Sequence, residues 1–108
     1  MANTIDIISK EWFDKVNGNS YFAGTITVDY RTETEETFLM PFQYGYGSQH
    51  EQEAKSILTQ FNKISSNWNQ SLYSYCKENN IKFCSSIQTE CKQKELKEIE
   101  NEYNRNLN

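Results

Sequence analysis

The sequence predicts an α+β domain: an antiparallel meander of three strands plus a fourth short strand, packed against two or three helices. Two observations predict it. In the first half of the chain, segments of alternating apolar and polar residues are separated by turn signals, whereas most of the second half carries apolar residues at helical spacing. A chain of 108 residues with no linker or repeat predicts a single domain over residues 1–108, with an end that frays from about residue 104.

The first two strands are predicted around a tight turn. Residues 5–16 fit a strand with one irregularity, although a short helical turn over residues 10–15 is an alternative. Asn17 and Gly18 follow, and because both tolerate positive φ they are typical of a two-residue hairpin turn. Residues 21–30 then alternate, with one face formed by Phe22, Gly24, Ile26, Val28 and Tyr30.

The third strand follows a polar, charged loop over residues 31–36. It is predicted over residues 37–42, and Pro41 places it at an edge or at a strand end, because proline cannot donate to a sheet ladder. An exposed sheet edge would be available for pairing. The predicted inner face consists of Phe38, Met40 and Phe42.

The best-marked helix begins after this strand. Ser48 as N-cap and Glu51 three residues later form a predicted capping box. The helix is expected to run for about four turns and to pack across the inner face of the meander. Its apolar stripe consists of Ala54, Ile57, Leu58, Phe61 and Ile64.

Three further elements complete the predicted fold. A second helix is predicted to restart at Ser65 and Ser66 and to stop at a left-handed end at Asn79 and Asn80. Residues 81–87 alternate, which predicts a short strand in the same sheet. A charged last helix follows from Glu90, with an apolar seam of Leu96, Ile99 and Tyr103 that also suits a homodimer contact.

The composition indicates which cellular compartment and which class of partner to expect. The net charge is −4, and acidic residues are interleaved with the basic ones, which favours proteins over nucleic acid as partners. No apolar run is long enough for a membrane helix, and the first residues lack a secretory signal, so the cytosol is expected. Neither a cofactor nor a metal site is predicted, and free thiols are expected for Cys76, Cys84 and Cys91.

The segment Tyr44-Gly45-Tyr46-Gly47 concentrates two of four glycines beside two large rings. It predicts a sharp strand-to-helix turn, which either caps the core with its tyrosines or displays them as a protein-binding surface. His50, the one histidine, follows in the first helical turn, where a solvated ring is expected. The candidate binding surface consists of Asn17, Gly18, Asn19, Tyr21, Tyr44, Gly45, Tyr46, Gly47 and His50.

Three ordered motifs carry a family resemblance. They are Glu11-Trp12-Phe13, then Gly18-Asn19-Ser20-Tyr21, then Pro41-Phe42-Gln43-Tyr44-Gly45-Tyr46-Gly47-Ser48-Gln49. In these the chain resembles small uncharacterised proteins of tailed bacteriophages, over about half its length in motif terms. Phe22 stands where those proteins often carry histidine, so no polar role is expected there. The resemblance implies a phage accessory protein in the host cytoplasm, without implying an activity.

Three functions are consistent with these features. The first is a non-catalytic protein-binding module that inhibits a host defence or regulatory protein, since the chain has displayed aromatics and no catalytic motif. The second is a nucleic-acid binder that uses the sheet face to stack bases on Tyr21, Tyr44 and Tyr46. In this hypothesis the phosphates are contacted by Lys10, Lys15 and Arg31. The third is a small hydrolase or nuclease centred on His50.

Overall fold

The computed structural model describes residues 3–106 and has the predicted α+β architecture, with a four-stranded sheet and three helices. The elements in chain order are β1 (Thr4–Asp14), β2 (Asn19–Val28), β3 (Glu36–Tyr44), α1 (Gln49–Gln60), α2 (Leu72–Glu78), β4 (Lys82–Gln88) and α3 (Gln93–Asn106).

The sheet has the strand order β3-β2-β1-β4. Strands β1, β2 and β3 form the predicted antiparallel meander, and β4 joins it beside β1 in parallel orientation. Strand β1 is continuous from Thr4 to Asp14, so the alternative of a helical turn near its end is wrong. Because β3 is an edge strand, Pro41 lies where the sequence placed it.

Helices α1 and α2 cover one face of the sheet. Alternate residues of the strands point to this face and meet Ala54, Ile57 and Leu58 of the predicted apolar stripe of α1. Phe61 of that stripe lies past the end of the helix and is 52% exposed. Burial of these side chains supplies most of the hydrophobic stabilisation. The innermost members of this layer are Ile5, Ile7, Phe22, Ile26, Met40, Ala54, Leu58 and Leu72.

Helix α3 covers part of the opposite face, so the central strands are buried on both sides there. Leu96 is fully buried in a cluster with Ala23 and Cys91. The Tyr103 hydroxyl donates a hydrogen bond to the Thr37 carbonyl oxygen at 3.3 Å. The apolar seam of this helix is therefore used at least in part within its own chain, and a homodimer contact through it stays a prediction.

A β-bulge in β3 overturns one predicted face. Phe22 pairs with Gln43 and Gly24 with Met40, so two residues of β3, Pro41 and Phe42, oppose a single residue of β2. The extra residue reverses the alternation. Met40 therefore remains in the α1 layer, whereas Phe42 turns to the α3 side.

The first hairpin is also wider than predicted. Asp14 pairs with Asn19, which leaves four residues in the loop, and the Gly18 N–H donates to the Asp14 carbonyl oxygen at 2.8 Å. The Asp14 carboxylate accepts hydrogen bonds from the backbone N–H groups of Val16 and Asn17. This local capping stabilises the longer loop, and only Gly18 in it takes a positive φ, of 71°.

Helix boundaries differ from the predicted ones at three places. Helix α1 ends at Gln60, and Asn62 follows in a left-handed conformation with φ of 61°. Ser48 is its N-cap but makes no side-chain cap hydrogen bond, so the capping box is absent. Helix α2 begins only after Ser71, whose hydroxyl accepts from the Ser74 N–H, and α3 continues to Asn106, beyond the predicted fraying point.

The carboxylate of Asp29 secures the loop between β2 and β3. It accepts hydrogen bonds from the Asn3 N–H at 2.6 Å and from the Thr34 hydroxyl at 2.9 Å. These two bonds, in that order, lower the pKa of Asp29, since they favour its charged form. The residue has a left-handed φ of 56°, which asparagine also tolerates.

We therefore expect the wild-type protein to lose stability in acid. The Asp29→Asn variant should lose less stability over the same fall in pH. A lowered folded-state pKa means that this contribution is present above the unfolded pKa, about 3.9, and is lost as pH falls through the folded value. Urea denaturation at neutral pH should show the variant to be less stable than wild type, and the difference should shrink as pH falls below the unfolded pKa of about 3.9. If the stability difference between wild type and Asp29→Asn stayed the same from neutral to acid pH, the stabilising role assigned to the Asp29 carboxylate would be contradicted.

Candidate functional site

The structure brings two of the predicted segments together at one end of the sheet. Tyr21 in β2 pairs with Tyr44 in β3, and their rings meet edge to face with centroids 5.9 Å apart. The Gly45 N–H donates to the Ser20 carbonyl oxygen at 3.0 Å. The start of β2 and the segment Tyr44-Gly45-Tyr46-Gly47, here called the tyrosine turn, therefore form one continuous surface.

The tyrosine turn displays its rings to solvent. Tyr44 is 57% exposed and Tyr46 is 66% exposed. This excludes the alternative that both tyrosines cap the core. Exposed tyrosines combine a large apolar surface with a hydroxyl, which is why they are enriched in protein-binding hot spots.

The backbone of the tyrosine turn is held by close packing against Phe22 and by a backbone hydrogen bond. Gly45 is buried, and a Cβ atom at this position would lie 2.6 Å from Cε1 of Phe22, so only glycine fits. Gly47 has a φ of 63°, and the Gln49 N–H donates to the Tyr46 carbonyl oxygen at 3.2 Å. The two exposed rings thus project from a fixed turn that leads directly into α1.

A cluster of aromatic rings supports Tyr44 from the α3 side of the sheet. Tyr21 stacks on Trp12 with centroids 5.4 Å apart and on Phe42 with centroids 5.2 Å apart. The bulge at Pro41 creates this contact, because it turns Phe42 to that side. The ring of Tyr21 is consequently occupied by protein neighbours, and Tyr44 is the exposed end of the cluster.

The hairpin loop lies at the same end of the molecule but is structurally self-contained. The Asn17 side-chain amide donates to the Asp14 carboxylate at 2.8 Å, and this bond is the main reason that the pKa of Asp14 is lowered. Two exposed apolar residues near this loop lie outside the predicted binding surface. Phe13 is 49% exposed and Val16 is 92% exposed. Both residues are apolar, which could have marked them as part of an exposed binding surface, but the sequence pattern places them in the predicted first strand.

His50 does not belong to the exposed surface. It is only 4% exposed, which contradicts the predicted solvated ring. Its Nδ1 lies 2.9 Å from the Gly47 carbonyl oxygen, and its Nε2 lies 3.2 Å from Oγ of Ser85 in β4. The Ser85 hydroxyl also lies 3.0 Å from Oε2 of Glu51. These side chains form a polar cross-link between α1 and β4.

The number of protons on the His50 ring determines which hydrogen bonds of this cross-link can form at the same time. A carbonyl oxygen only accepts, so Nδ1 of His50 carries a proton. In the neutral ring Nε2 is an acceptor, and the one hydroxyl proton of Ser85 then faces both Nε2 and the Glu51 carboxylate. Both contacts are satisfied at once only when the ring carries two protons, with Glu51 Oε2 at 3.7 Å from Nε2.

All three cysteines carry free thiols in this chain. Cys76 and Cys91 are buried, and burial raises the pKa of Cys76 to about 11 and that of Cys91 in the same direction. Cys84 is exposed. Within residues 3–106, no three His, Cys, Asp or Glu side chains come together in a way that would hold a metal ion.

Comparisons with protein-family models, with curated proteins and with solved structures each find no significant match for this chain. In the described part of the chain, none of the helices has the length and apolar character needed to cross a membrane.

Proposed function

We propose that this protein is a phage accessory protein that acts as a non-catalytic binding module and inhibits a host defence or regulatory protein in the host cytoplasm. The observation that carries the binding role is the fixed display of Tyr44 and Tyr46, each more than half exposed, on a turn that only glycine allows. The phage role rests on the resemblance in the three sequence motifs, and the inhibitor role rests on the displayed aromatic rings together with the lack of a catalytic motif in the sequence.

The rigidity of the turn supports recognition of a protein. A turn whose backbone is already held by hydrogen bonds loses little conformational entropy when it binds, so rings that project from it contribute more to affinity than rings on a mobile loop. Phe13 and Val16 enlarge the apolar area at the same end of the sheet. A partner that buries these rings in a pocket would draw most of its affinity from them.

The local charge favours a protein partner over nucleic acid. Residues 17–21 and 43–49 contain no lysine or arginine, so this surface has no cation of its own to neutralise phosphates. Tyr21 was expected to stack on bases, but its ring stacks on Trp12 and Phe42 instead. Binding of single strands by stacking needs both exposed rings and a positive groove.

The hydrolase hypothesis has weaker support. Although Ser85 lies within hydrogen-bond distance of His50, this residue is only 4% exposed and its ring lies between α1 and β4. A substrate would have to separate these elements to reach the ring. The cluster is better suited to hold the first turn of α1 in place beside the tyrosine turn.

The proposal is tested by capture from infected bacterial cells followed by affinity measurement with the purified partner. We expect Tyr44→Ala/Tyr46→Ala to weaken binding by about 100-fold, the loss of about 2.7 kcal/mol that two hot-spot rings supply. Since both side chains are exposed, the circular dichroism spectrum and the melting temperature should be close to those of wild type.

A matched control uses exposed tyrosines from elsewhere on the protein. Tyr30 is 52% exposed and Tyr73 is 59% exposed, and neither lies in the tyrosine turn. The variant Tyr30→Ala/Tyr73→Ala should retain wild-type affinity. Equal losses in both double variants would overturn the surface assignment, and recovery of nucleic acid that moderate salt removes would favour the nucleic-acid hypothesis instead.

A further inference from the structure

We infer that β4 is a self-association edge, along which a second copy of this chain pairs antiparallel to form a continuous eight-stranded sheet. The inference is independent of the proposed binding surface, which lies at the tyrosine turn. It rests on the backbone geometry of β4, on the absence of edge protection there, and on the pattern of its side chains.

The direction of the backbone groups in β4 follows from one hydrogen bond. The Lys82 N–H donates to the Asn3 carbonyl oxygen at 3.0 Å, so the backbone groups of Lys82 point toward β1. Because these groups alternate along a strand, those of Phe83, Ser85 and Ile87 point to the other side. No described strand lies on that side of β4, so these N–H and C=O groups face the open edge.

The two edges of the sheet differ in their protection. On β3, Pro41 and the bulge interrupt the edge, and Glu36 forms an ion pair with Lys63. Such features normally prevent pairing between sheet edges. After Lys82, β4 has neither charge nor proline, and its register with β1 is regular over its whole length. Of the two edge strands in the described part of the chain, β4 is therefore the unprotected one.

The side chains of β4 complement those of the same strand in a second copy. A two-fold axis at Ser85 sets Phe83 of one copy opposite Ile87 of the other, both half-buried and on the face that α1 covers. On the opposite face, Cys84 meets Ser86, and at the ends Lys82 meets Gln88. No like charges meet, and every outward-facing backbone group of the strand acquires a partner.

The choice of a second copy over an unrelated strand follows from this register. A closed two-fold pair uses the same surface on both molecules. Ser85 is the central residue of β4 and its backbone groups point outward, so Ser85 of one copy can pair directly with Ser85 of the other. Strand pairing of this length buries less than the about 1,600 Å² of a standard interface, so we expect a dimer that dissociates in the micromolar range.

Sedimentation velocity over a dilution series tests the inference with two matched charge variants. Cys84 and Ser86 are both exposed, so substitution there should leave the fold intact, as a thermal melt would verify. C84K/S86K places like charges opposite each other and should raise the dimer Kd by about tenfold or more. C84K/S86E places opposite charges at the same pairs and should restore dimerisation to wild-type strength or better.

A cross-linking measurement on the wild-type protein keeps the test decisive if either variant fails to fold. Cys84 is the exposed thiol and is separated from its counterpart by a diagonal Cα distance of about 7–8 Å in this register. A short bis-maleimide should therefore give a covalent dimer linked through Cys84. Wild-type protein that sediments as a monomer at all concentrations, or a dimer unaffected by C84K/S86K, would overturn the inference.

Discussion

Replacement of Gly24 by alanine is expected to lower the free energy of unfolding by about 3 kcal/mol, the upper range for overpacking a well-packed interior. Gly24 pairs with Ser9 of β1 and Met40 of β3, in the middle of the sheet. A Cβ atom there would clash with the Ile8 carbonyl oxygen and would lie 2.8 Å from Oγ of Ser9. The obstruction is the backbone of a central strand, which cannot move without disturbing its own pairs.

Urea denaturation of Gly24→Ala beside Gly18→Ala separates steric from conformational effects. Gly18 has a φ of 71°, but a Cβ atom there would contact nothing within 4 Å. Its substitution should therefore cost only about 1 kcal/mol, the penalty of a left-handed conformation. Equal losses at the two positions would show that space in the sheet is not what selects glycine at residue 24.

Removal of the imidazole in His50→Ala is expected to destabilise the protein by about 3 kcal/mol. The ring is buried, and its removal leaves a cavity while the Gly47 carbonyl oxygen and the Ser85 hydroxyl lose a partner. Chemical denaturation measures the loss. A variant as stable as wild type would mean that the ring is solvated, as the sequence alone suggested.

The variant Ser85→Ala provides the control for this cross-link. It removes one hydroxyl but leaves the His50 ring and its bond to Gly47, so a loss of about 1 kcal/mol is expected. If His50 and Ser85 act together, the double variant should lose less than the sum of the two single losses. Strict additivity would indicate that the contact at 3.2 Å contributes little.

The elements with a regular local pattern could be predicted from the sequence. The alternation of residues 21–30 identified β2, and the apolar stripe that includes Ala54 and Leu58 identified α1 and its packing face. In both elements the buried side chains repeat with the period of the backbone, so pattern and structure agree. The tyrosine turn could be predicted from another local signal, because its glycines mark backbone conformations that few other residues adopt.

Features that depend on distant parts of the chain could not be predicted. Phe42 faces α3 because a bulge reverses the alternation, and no local pattern in β3 marks that extra residue. His50 is buried because Ser85, far along the chain, lies opposite it. The strand β4 was expected from its alternation, but alternation does not specify which strand it joins or in which direction.

The place of β4 beside β1 also governs the order in which the protein assembles. Thr4 pairs with Lys82, so one side of the first strand remains unpaired until most of the chain has been synthesised. Contacts between residues so distant in sequence carry a large loop-closure entropy and slow folding. The meander and α1 use nearer contacts and are available first. Docking of β4, with the helix that follows it, is therefore the step expected to limit the folding rate, and it completes the sheet last.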